Sequence, residues 1–377
     1  MGRKILIFGN FPFNIDNEFI DTNHFALYFA RNGDEVDFVT PPAYCIDLFI
    51  PFISYRRAIL KNGISSGIEI EKNLRQYTPM TPLPIRNNFL LGSGLNLSLF
   101  AYSFNLSSLS RKEYDICITS QGFMLLWSRY VRAKKFIYRY NDLLEGFLSH
   151  PEGLKRYEEV FIRDRNPIIL TVNKRLLNYL KDKYPDFENI KILPNGVDIE
   201  LFLKAEPDRE LLSIKKQKAV FCGGIDFWVD IELLYEAAKT LKDIVFVLIG
   251  PAKVNIERIK ALPNVIYLGA RRYKDIPSLL KGCDIGLIPF KRDRLTEYVE
   301  KPLKYYEYLA AGLPVIATGL SESEEKNQYF RNYRDKKLFI EAIEKMGIIS
   351  HSERMKIADS VRECGWNRIF ERLESFI

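Results

Sequence analysis

Short apolar runs alternate along the chain with stretches whose apolar residues recur at helical spacing. The first run, 4-KILIFGN-10, is continuously apolar and ends in Gly-Asn, as expected of a strand buried on both faces of a parallel sheet. A helical pattern follows, with Phe25 and Phe29 on one face and Gly33 as its stop, before a second apolar run at 35–42 that ends in prolines. This order predicts a β-α-β unit at the start of the chain.

The alternation continues in two series. The first series continues with apolar runs at 114–122, 135–142 and 168–173. The second follows a Pro-Asn-Gly turn and the polar stretch 203–218, and its apolar runs are 219–224, 244–250, 265–269, 284–290 and 314–319, with helices predicted at about 229–242 and 275–281. We therefore predict an α/β protein of two Rossmann-like, doubly wound domains, residues 1–200 and 201–355, that face each other across a cleft, because ligands of such sheets bind at the carboxyl ends of the strands.

The composition predicts a reduced protein without a zinc cluster. Five cysteines are scattered without a C-x-x-C pair, and only three histidines occur, none near another. No apolar run is long enough to cross a membrane, and the first strand pattern begins without a signal peptide. We expect a cytoplasmic protein with no bound metal and no cofactor.

Basic residues are concentrated in one segment. Residues 51–150 contain 13 Lys and Arg against 6 Asp and Glu, an excess as large as the net charge of +7 for the whole chain. Basic residues lie among apolar ones in this segment, namely Arg56, Arg57, Lys61, Arg129, Arg132, Lys134 and Lys135. Two interpretations stay open: an anionic surface on the inner face of the cell membrane as a partner, or an ordinary solvated face. Nucleic acid is not expected, since no recognisable binding module accompanies the charge.

The segment 299-VEKPLKYYEYLAAGLPVIATG-319 predicts a short helix with an anion at its amino end. Pro302 suits the first helical position, Gly312 suits a left-handed stop, and Lys304 lies in the first turn, where the helix dipole disfavours a cation. A phosphate at the helix terminus would explain that lysine, and Glu307, one turn later, could accept hydrogen bonds from ribose hydroxyls. The alternative is an incidental Lys-Glu pair on a helix surface.

A second glycine-rich element follows the first strand of the second series. In 219-AVFCGGID-226, Gly223 and Gly224 leave the strand and would let the backbone approach a ligand closely. Neither this turn nor the first loop carries the G-x-G-x-x-G pattern, so a dinucleotide cofactor is not predicted.

These motifs occur together in an order that resembles GT-B glycosyltransferases. The order is L-P-N-G-V-D-x-x-x-F at 193–202, the Gly-Gly loop, L-G-x-x-x-x-x-D-x-P-x-L-L at 268–280, C-D-I-G-L-I-P-F at 283–290, and K-P-L-K-Y-Y-E-Y-L-A-A-G-L-P-V-I-A-T. Within that group the chain looks most similar to family 4-like bacterial transferases of exopolysaccharide and teichuronic acid synthesis, including GumK-like glucuronosyltransferases. The similarity is clear over 190–320 and only general before it.

The resemblance implies roles for particular residues and segments. The donor, a nucleotide diphosphate sugar, would contact Gly223, Gly224, Pro302, Lys304 and Glu307, with Arg272 and Tyr273 near the base. Many relatives carry Glu-x7-Glu, but Val299 stands eight residues before Glu307. Glu300, seven residues before it, is therefore only a candidate for the first carboxylate. A last helix at 356–377 would return to the first domain.

The acceptor side has three candidates. An inverting transfer needs a base, and Asp142 follows a predicted strand directly, at the position that the resemblance implies for a catalytic aspartate. An N-cap for the next helix is the alternative role of Asp142. His24, near the start of the first helix, and Asp16, in the first loop, are further acceptor-side candidates, and a histidine on a helix face bonded to a neighbour is the alternative for His24.

The sequence thus predicts a metal-independent hexosyltransferase. Its donor would be UDP-linked, with a uronic acid as one option, and its acceptor a hydroxyl of a cell-surface glycan or of a polyprenyl-diphosphate-linked oligosaccharide. Two alternatives remain: a sugar-nucleotide epimerase of the same fold, and a non-catalytic subunit that binds sugar nucleotides.

Overall fold

The structure is a computed structural model that describes residues 2–13, 20–44, 67–81, 107–128, 130–146, 152–324 and 326–377. The chain divides into two compact units: Met1–Pro194 together with Phe370–Ile377, and Asn195–Ile369. Each unit is an α/β layer structure built on one large sheet. The predicted fold class of two parallel α/β sheets is confirmed.

The first unit contains an eight-stranded sheet in the order β10-β9-β8-β7-β1-β2-β5-β4, parallel except for the β4–β5 pair. Its strands, with the small β3–β6 ladder, are β1 (Lys4–Phe8), β2 (Glu35–Val39), β3 (Ala43–Tyr44), β4 (Ile68–Glu71), β5 (Leu74–Tyr77), β6 (Met80–Thr81), β7 (Glu113–Ser120), β8 (Arg132–Tyr140), β9 (Ile168–Thr171) and β10 (Ile190–Ile192). Its helices are α1 (Asp21–Arg31), α2 (Ser107–Ser110), α3 (Leu125–Ser128), α4 (Glu152–Arg165) and α5 (Lys174–Lys183).

The second unit contains a six-stranded, wholly parallel sheet in the order β13-β12-β11-β14-β15-β16. Its strands are β11 (Lys218–Cys222), β12 (Val245–Ile249), β13 (Val265–Gly269), β14 (Ile285–Pro289), β15 (Val315–Thr318) and β16 (Phe330–Tyr333). Its helices are α6 (Ile199–Lys204), α7 (Arg209–Ser213), α8 (Ile231–Thr240), α9 (Glu257–Lys260), α10 (Ile276–Lys281), α11 (Leu303–Ala310), α12 (Lys336–Lys345) and α13 (His351–Asp359). The last helix, α14 (Trp366–Glu374), begins in this unit.

The core of each sheet consists of the apolar runs that the sequence shows. Every residue of β11, β12 and β14 is buried, because a parallel sheet covered by helices has no solvent face. Aspartate side chains cap four of the second unit's helices, and each accepts a hydrogen bond from a backbone N–H of the first turn: Asp198, Asp208, Asp230 and Asp335. These caps fix where the helices start relative to the strands.

The end of the chain packs within the first unit. The Phe370 ring stacks on Tyr28 of α1 at a centroid distance of 4.3 Å and meets Phe25 edge-on at 5.5 Å. Arg3, just before β1, donates to both Asp34 and Glu374.

Several strands lie outside the apolar runs that predict strands, among them β4, β5 and β16. These three strands have four residues each, and most of their side chains are not fully buried, so no long apolar run marks them, and pairing with a neighbouring strand decides their conformation. Pro302 was predicted to be the first helical residue, but it is the N-cap of α11, and the helix begins one residue later at Leu303.

Candidate functional site

The candidate donor site lies at the carboxyl ends of β11 and β14 and at the amino end of α11. Pro302, the N-cap of α11, has an extended backbone and provides no side-chain cap, and the first turn contains no acidic residue. The helix ends at Ala310, and Gly312, two residues later, has the φ of +77° predicted for a left-handed stop. An uncapped helix N-terminus is a site for an anion when a further group supplies positive charge.

Lys304 supplies that charge beside the Gly-Gly loop. Gly223 follows β11 with φ +135°, and a Cβ built on it would lie 3.2 Å from Lys304 Cε and 3.3 Å from Nζ. The Lys304 ammonium also lies 4.7 Å from the centre of the Phe290 ring and 5.4 Å from that of Phe221. A Cβ on Gly224 would meet no atom within 4 Å, so this part of the loop faces open space. The structure thus brings Gly223 and Lys304 together and leaves room beside Gly224.

Glu307 lies one turn after Lys304 and is half-buried. Burial raises the pKa of its carboxyl to about 7, and the positive charge of Lys304 limits that rise. The Tyr273 hydroxyl has its pKa raised well above the usual value, first by burial and then by the negative charges of Glu307 and Asp198. Tyr273 therefore stays neutral beside a carboxyl group that titrates near neutrality.

The other two donor-side candidates are Arg272 and Glu300. Arg272 is exposed and forms an ion pair with Asp275, its Nε 2.7 Å from a carboxylate oxygen. Glu300 is half-buried, two residues before Pro302, in the segment that leads into α11. Tyr273 and Arg272 are thus adjacent in sequence but have different surroundings, Tyr273 beside Glu307 and Arg272 beside Asp275.

Tyr308 fixes the helix against the strands, a role that the sequence analysis missed. Its hydroxyl accepts a hydrogen bond from the backbone N–H of Cys222 at 2.7 Å and donates to the carbonyl of Leu287 at 3.2 Å. The ring occupies the space above Gly286, where a Cβ would come within 2.4 Å of it. A glycine in the middle of an apolar strand is the signal that could have revealed this close packing. The contact keeps α11 in one position relative to β11 and β14.

In the first unit, Asp142 follows β8 and is half-buried. Its backbone is held by the Gln121 carboxamide, whose Oε1 accepts from Asp142 N at 3.0 Å and whose Nε2 donates to the Asp142 carbonyl at 2.6 Å. The segment after Asp142 is a 3₁₀ turn, Leu144–Gly146.

His24 lies in the first turn of α1 and is buried. Burial lowers its pKa to about 3, and the positive charge of Arg31 adds to that shift, so the imidazole is neutral at physiological pH. Asp16 lies outside the described residues.

A buried ion pair that the sequence analysis missed joins α1 to the end of β8. Arg139 Nε lies 2.6 Å from Asp21 Oδ2, and both side chains are almost fully buried. The same carboxylate oxygen accepts from Asn141 Nδ2 at 2.9 Å, and Arg139 also donates to the carbonyl of Leu193. A charged side chain within an apolar strand run is the available sequence signal, but its partner could not be found without the fold.

The described residues contain neither a cluster of metal ligands nor a membrane-spanning helix. In that part of the chain, no three His, Cys, Asp or Glu side chains come close enough together to hold a metal ion. None of the helices placed there has the length and apolar character needed to cross a bilayer.

The sequence of the segment that contains the candidate donor site matches a known family. Residues 216–347, which include Gly223, Tyr273, Lys304 and Glu307, match the family described as Glycosyl transferases group 1. The resemblance to group 1 glycosyltransferases of GT-B fold is confirmed.

Two relatives match part of the chain. A protein named as a glycosyltransferase of teichuronic acid biosynthesis, TuaH of Bacillus subtilis (strain 168), is 34% identical over 205 residues, 50% of this chain and 51% of TuaH. The UDP-Gal:alpha-D-GlcNAc-diphosphoundecaprenol alpha-1,3-galactosyltransferase of Escherichia coli is 30% identical over 161 residues, 38% of this chain and 40% of that protein. The matches therefore span about half the length of these relatives or less.

Solved structures match over nearly the whole chain. Sucrose-phosphate synthase from Thermosynechococcus elongatus has a TM-score of 0.71 at 13% identity, covering 99% of this chain and 98% of that one. Anabaena HepE, solved in complex with UDP and glucose, has a TM-score of 0.66 at 14% identity, with coverage of 99% and 98%. At such identities the likeness shows the fold.

Proposed function

We propose that this protein transfers a sugar from a nucleotide diphosphate sugar to a hydroxyl of a cell-surface glycan or lipid-linked oligosaccharide. The observation that carries the proposal is the Lys304 ammonium beside Gly223, in the uncapped first turn of α11, with Glu307 one turn further. In this proposal residues 201–355 bind the donor, residues 1–200 bind the acceptor, and the segment 356–377 returns to the acceptor-binding part; this segment was expected to be one helix but contains the end of α13 and the separate helix α14.

The donor-side residues have complementary roles. Lys304 and the terminus of α11 neutralise the diphosphate, and the glycine backbone at 223–224 allows its close approach. Glu307 accepts hydrogen bonds from the ribose hydroxyls, Tyr273 and Arg272 lie toward the base, and Glu300 toward the sugar. Solved HepE complexes contain UDP and UDP-glucose, which supports a UDP-linked donor for this fold.

On the acceptor side, Asp142 is the proposed base for an inverting transfer. The acceptor O–H bond breaks and its proton moves to the Asp142 carboxylate, while the acceptor oxygen bonds to C1 of the sugar. The bond from C1 to the diphosphate breaks, and the diphosphate leaves with the electron pair. These steps need no metal and no cofactor. Asp142→Asn should abolish transfer and leave nucleotide binding intact, and an active Asn variant would place the base elsewhere.

The Escherichia coli relative acts on a GlcNAc-diphosphoundecaprenol acceptor, which supports a polyprenyl-diphosphate-linked acceptor and a site of action at the inner face of the cell membrane. The basic residues Arg56 and Arg57, outside the described residues, are proposed to contact anionic lipid. Reversing both charges should reduce flotation with anionic liposomes, and unchanged flotation would remove this part of the proposal.

The central test compares binding of UDP with binding of uridine after Lys304→Met, which keeps the aliphatic stem beside Phe290. Two unit charges about 4 Å apart interact by about 4 kcal/mol at an effective dielectric constant of about 20. Because Lys304 is only half-buried, solvent screening reduces this value, and we expect the Kd for UDP to rise by about 10- to 100-fold. The Kd for uridine should change by less than about twofold, since it has no phosphate.

Lys337→Met is the matched control. Lys337 occupies the same position in α12 as Lys304 does in α11, but the Asp335 side chain already caps that helix. Its substitution should leave both affinities unchanged. Equal losses for UDP and uridine in the Lys304 variant would contradict the diphosphate contact. Conversion of a UDP-sugar without any acceptor would identify an epimerase instead, and binding without turnover a sensor subunit.

A further inference from the structure

The side chain of Gln121 replaces a missing strand partner at the end of β8. The parallel ladder between β7 and β8 ends at the pair Ser120 and Arg139. The residue after β7, Gln121, is followed by Gly122 with φ +87°, where the chain turns. The segment after β8 therefore loses its main-chain partner on the β7 side, while the ladder with β9 ends at Tyr140.

The Gln121 carboxamide makes three hydrogen bonds to this segment. Its Oε1 accepts from Asn141 N at 2.9 Å and from Asp142 N at 3.0 Å, and its Nε2 donates to the Asp142 carbonyl at 2.6 Å. Gln121 is only 9% exposed, so these bonds lie away from competing water. Both backbone polar groups of Asp142 are thus bound by one side chain.

The opposite flank of the segment is fixed as well. Asn141 Nδ2 donates to Asp21 Oδ2, the oxygen that also pairs with Arg139. Arg139 and Asn141, three residues and one residue before Asp142, are therefore both tied to α1 by polar contacts with Asp21. With the backbone held on both sides, the direction of the Asp142 Cα–Cβ bond is fixed, and the side chain can change only by rotation about its own bonds.

We propose that Gln121 is a positioning residue that aims the Asp142 carboxylate at the acceptor hydroxyl. The inference rests on the proposed function, in which Asp142 is the base. Catalytic geometry is demanding, since a displacement of about 1 Å can cost about 100-fold in rate. A carboxylate on a chain segment that has left its sheet would otherwise move with that segment.

The test measures release of UDP from whichever of UDP-glucose, UDP-galactose and UDP-glucuronic acid the wild-type protein cleaves fastest. The assay runs with and without a synthetic undecaprenyl-diphosphate-linked N-acetylglucosamine. Gln121→Ala should lower kcat by at least about tenfold and leave the KM for the donor within about twofold, because it disturbs the base and not the donor site. Turnover within twofold of wild type would overturn the proposal.

Asn264→Ala provides the matched control. Asn264 is also 9% exposed and also makes three hydrogen bonds to backbone groups, at Ala238, Leu241 and Ile244. Its loss should lower the Tm about as much as Gln121→Ala and leave kcat within about twofold. Equal reductions of kcat in the two variants would mean that Gln121 acts only through stability.

Gln121→Glu gives a readout that a purely structural role would not move. The variant keeps the acceptor for both N–H groups and adds a negative charge beside Asp142, which already lies near the Asp21–Arg139 ion pair. A second carboxylate disfavours ionisation of the first, so the acid limb of the kcat profile, measured with saturating donor so that Glu307 is already ionised, should move to higher pH. This variant also carries the test if Gln121→Ala fails to fold, and an unmoved limb would refute the proposal.

Asp142→Asn separates the two levels of the argument. If it retains wild-type turnover, or if wild-type protein cleaves none of the donors, the proposed function fails. If it is inactive while both Gln121 variants behave as wild type, only the positioning role fails.

Discussion

The Glu307 carboxyl should make nucleotide binding depend on pH near neutrality. Burial raises its pKa to about 7, with Lys304 limiting the rise. An ionised carboxylate accepts hydrogen bonds from both ribose hydroxyls, whereas the protonated group has less acceptor capacity. A nucleotide that donates both hydroxyls therefore binds the ionised form, and binding is coupled to loss of a proton.

The magnitude follows from the pKa. With a pKa of about 7, about one tenth of the Glu307 side chains are ionised at pH 6 and about nine tenths at pH 8. A ligand that requires the ionised form should bind about tenfold more tightly at pH 8 than at pH 6, a difference of about 1.4 kcal/mol. Binding should release about 0.9 proton at pH 6 and about 0.1 at pH 8. Neighbouring Tyr273 and Cys222 do not contribute, because burial raises the pKa of each.

Isothermal titration calorimetry with UDP-glucose measures this coupling. Titrations at pH 6, 7 and 8, each in two buffers of different ionisation enthalpy, report the proton released. UDP-glucose suits the purpose because it lacks the terminal phosphate that titrates near pH 6 in UDP. The Glu307→Gln variant has no proton to release there and should bind with an affinity that does not change with pH. The same pH dependence in wild type and variant would refute the reasoning.

Three further predictions concern stability and packing. Glu307→Gln should raise the Tm of the ligand-free protein at pH 8 but not at pH 5. The pKa of the Glu307 carboxyl is raised on folding, so the folded state binds this proton more tightly than the unfolded state does, and the stability that the proton contributes is lost as pH rises through about 7. An equal shift of the Tm at both pH values would contradict this. Gly223→Ala should destabilise by about 1 to 3 kcal/mol and weaken UDP binding, since φ +135° strains any Cβ and that Cβ would press on Lys304. Gly224→Ala should leave the Tm unchanged, and differential scanning fluorimetry compares the two. Arg139→Met should cost about 3 to 5 kcal/mol in urea unfolding by leaving the buried Asp21 charge unpaired, and a loss below about 1 kcal/mol would show that the pair is not essential.

The sequence was sufficient to predict the strands that are buried on both faces. The runs that form β1, β11, β12 and β14 are apolar apart from the lysine that begins β1 and β11, and a helix of this short length would leave part of such a run exposed. The short strands β4 and β16 at sheet edges, and β5 beside β4, were not found, since four-residue strands with few fully buried side chains carry too little periodicity. Their conformation depends on hydrogen bonds to a partner strand.

For the candidate site, the residue types in the α11 segment and the Gly-Gly loop pointed to an anion, because a bound phosphate would explain a lysine in a first turn and glycines after a strand let the backbone approach a ligand. Only the folded chain shows that Lys304 lies against Gly223, that the charge of Glu307 raises the pKa of Tyr273, and that Arg272 pairs with Asp275. The sequence identified Asp142 and His24 as acceptor-side candidates from their positions, but it could not give the protonation state of His24. Burial makes His24 neutral, and burial is a property of the folded chain.

By itself, then, the sequence determined the elements and the chemistry available at their ends, since hydrophobic period, capping residues and glycine placement act over a few neighbouring positions. Only the tertiary structure decided which polar groups meet. Gln121 and Asp142 are 21 residues apart, and Asp21 and Arg139 are 118 apart. Such pairs form because parallel strands and a crossing helix bring distant segments to one edge of a sheet, and no local pattern encodes that distance.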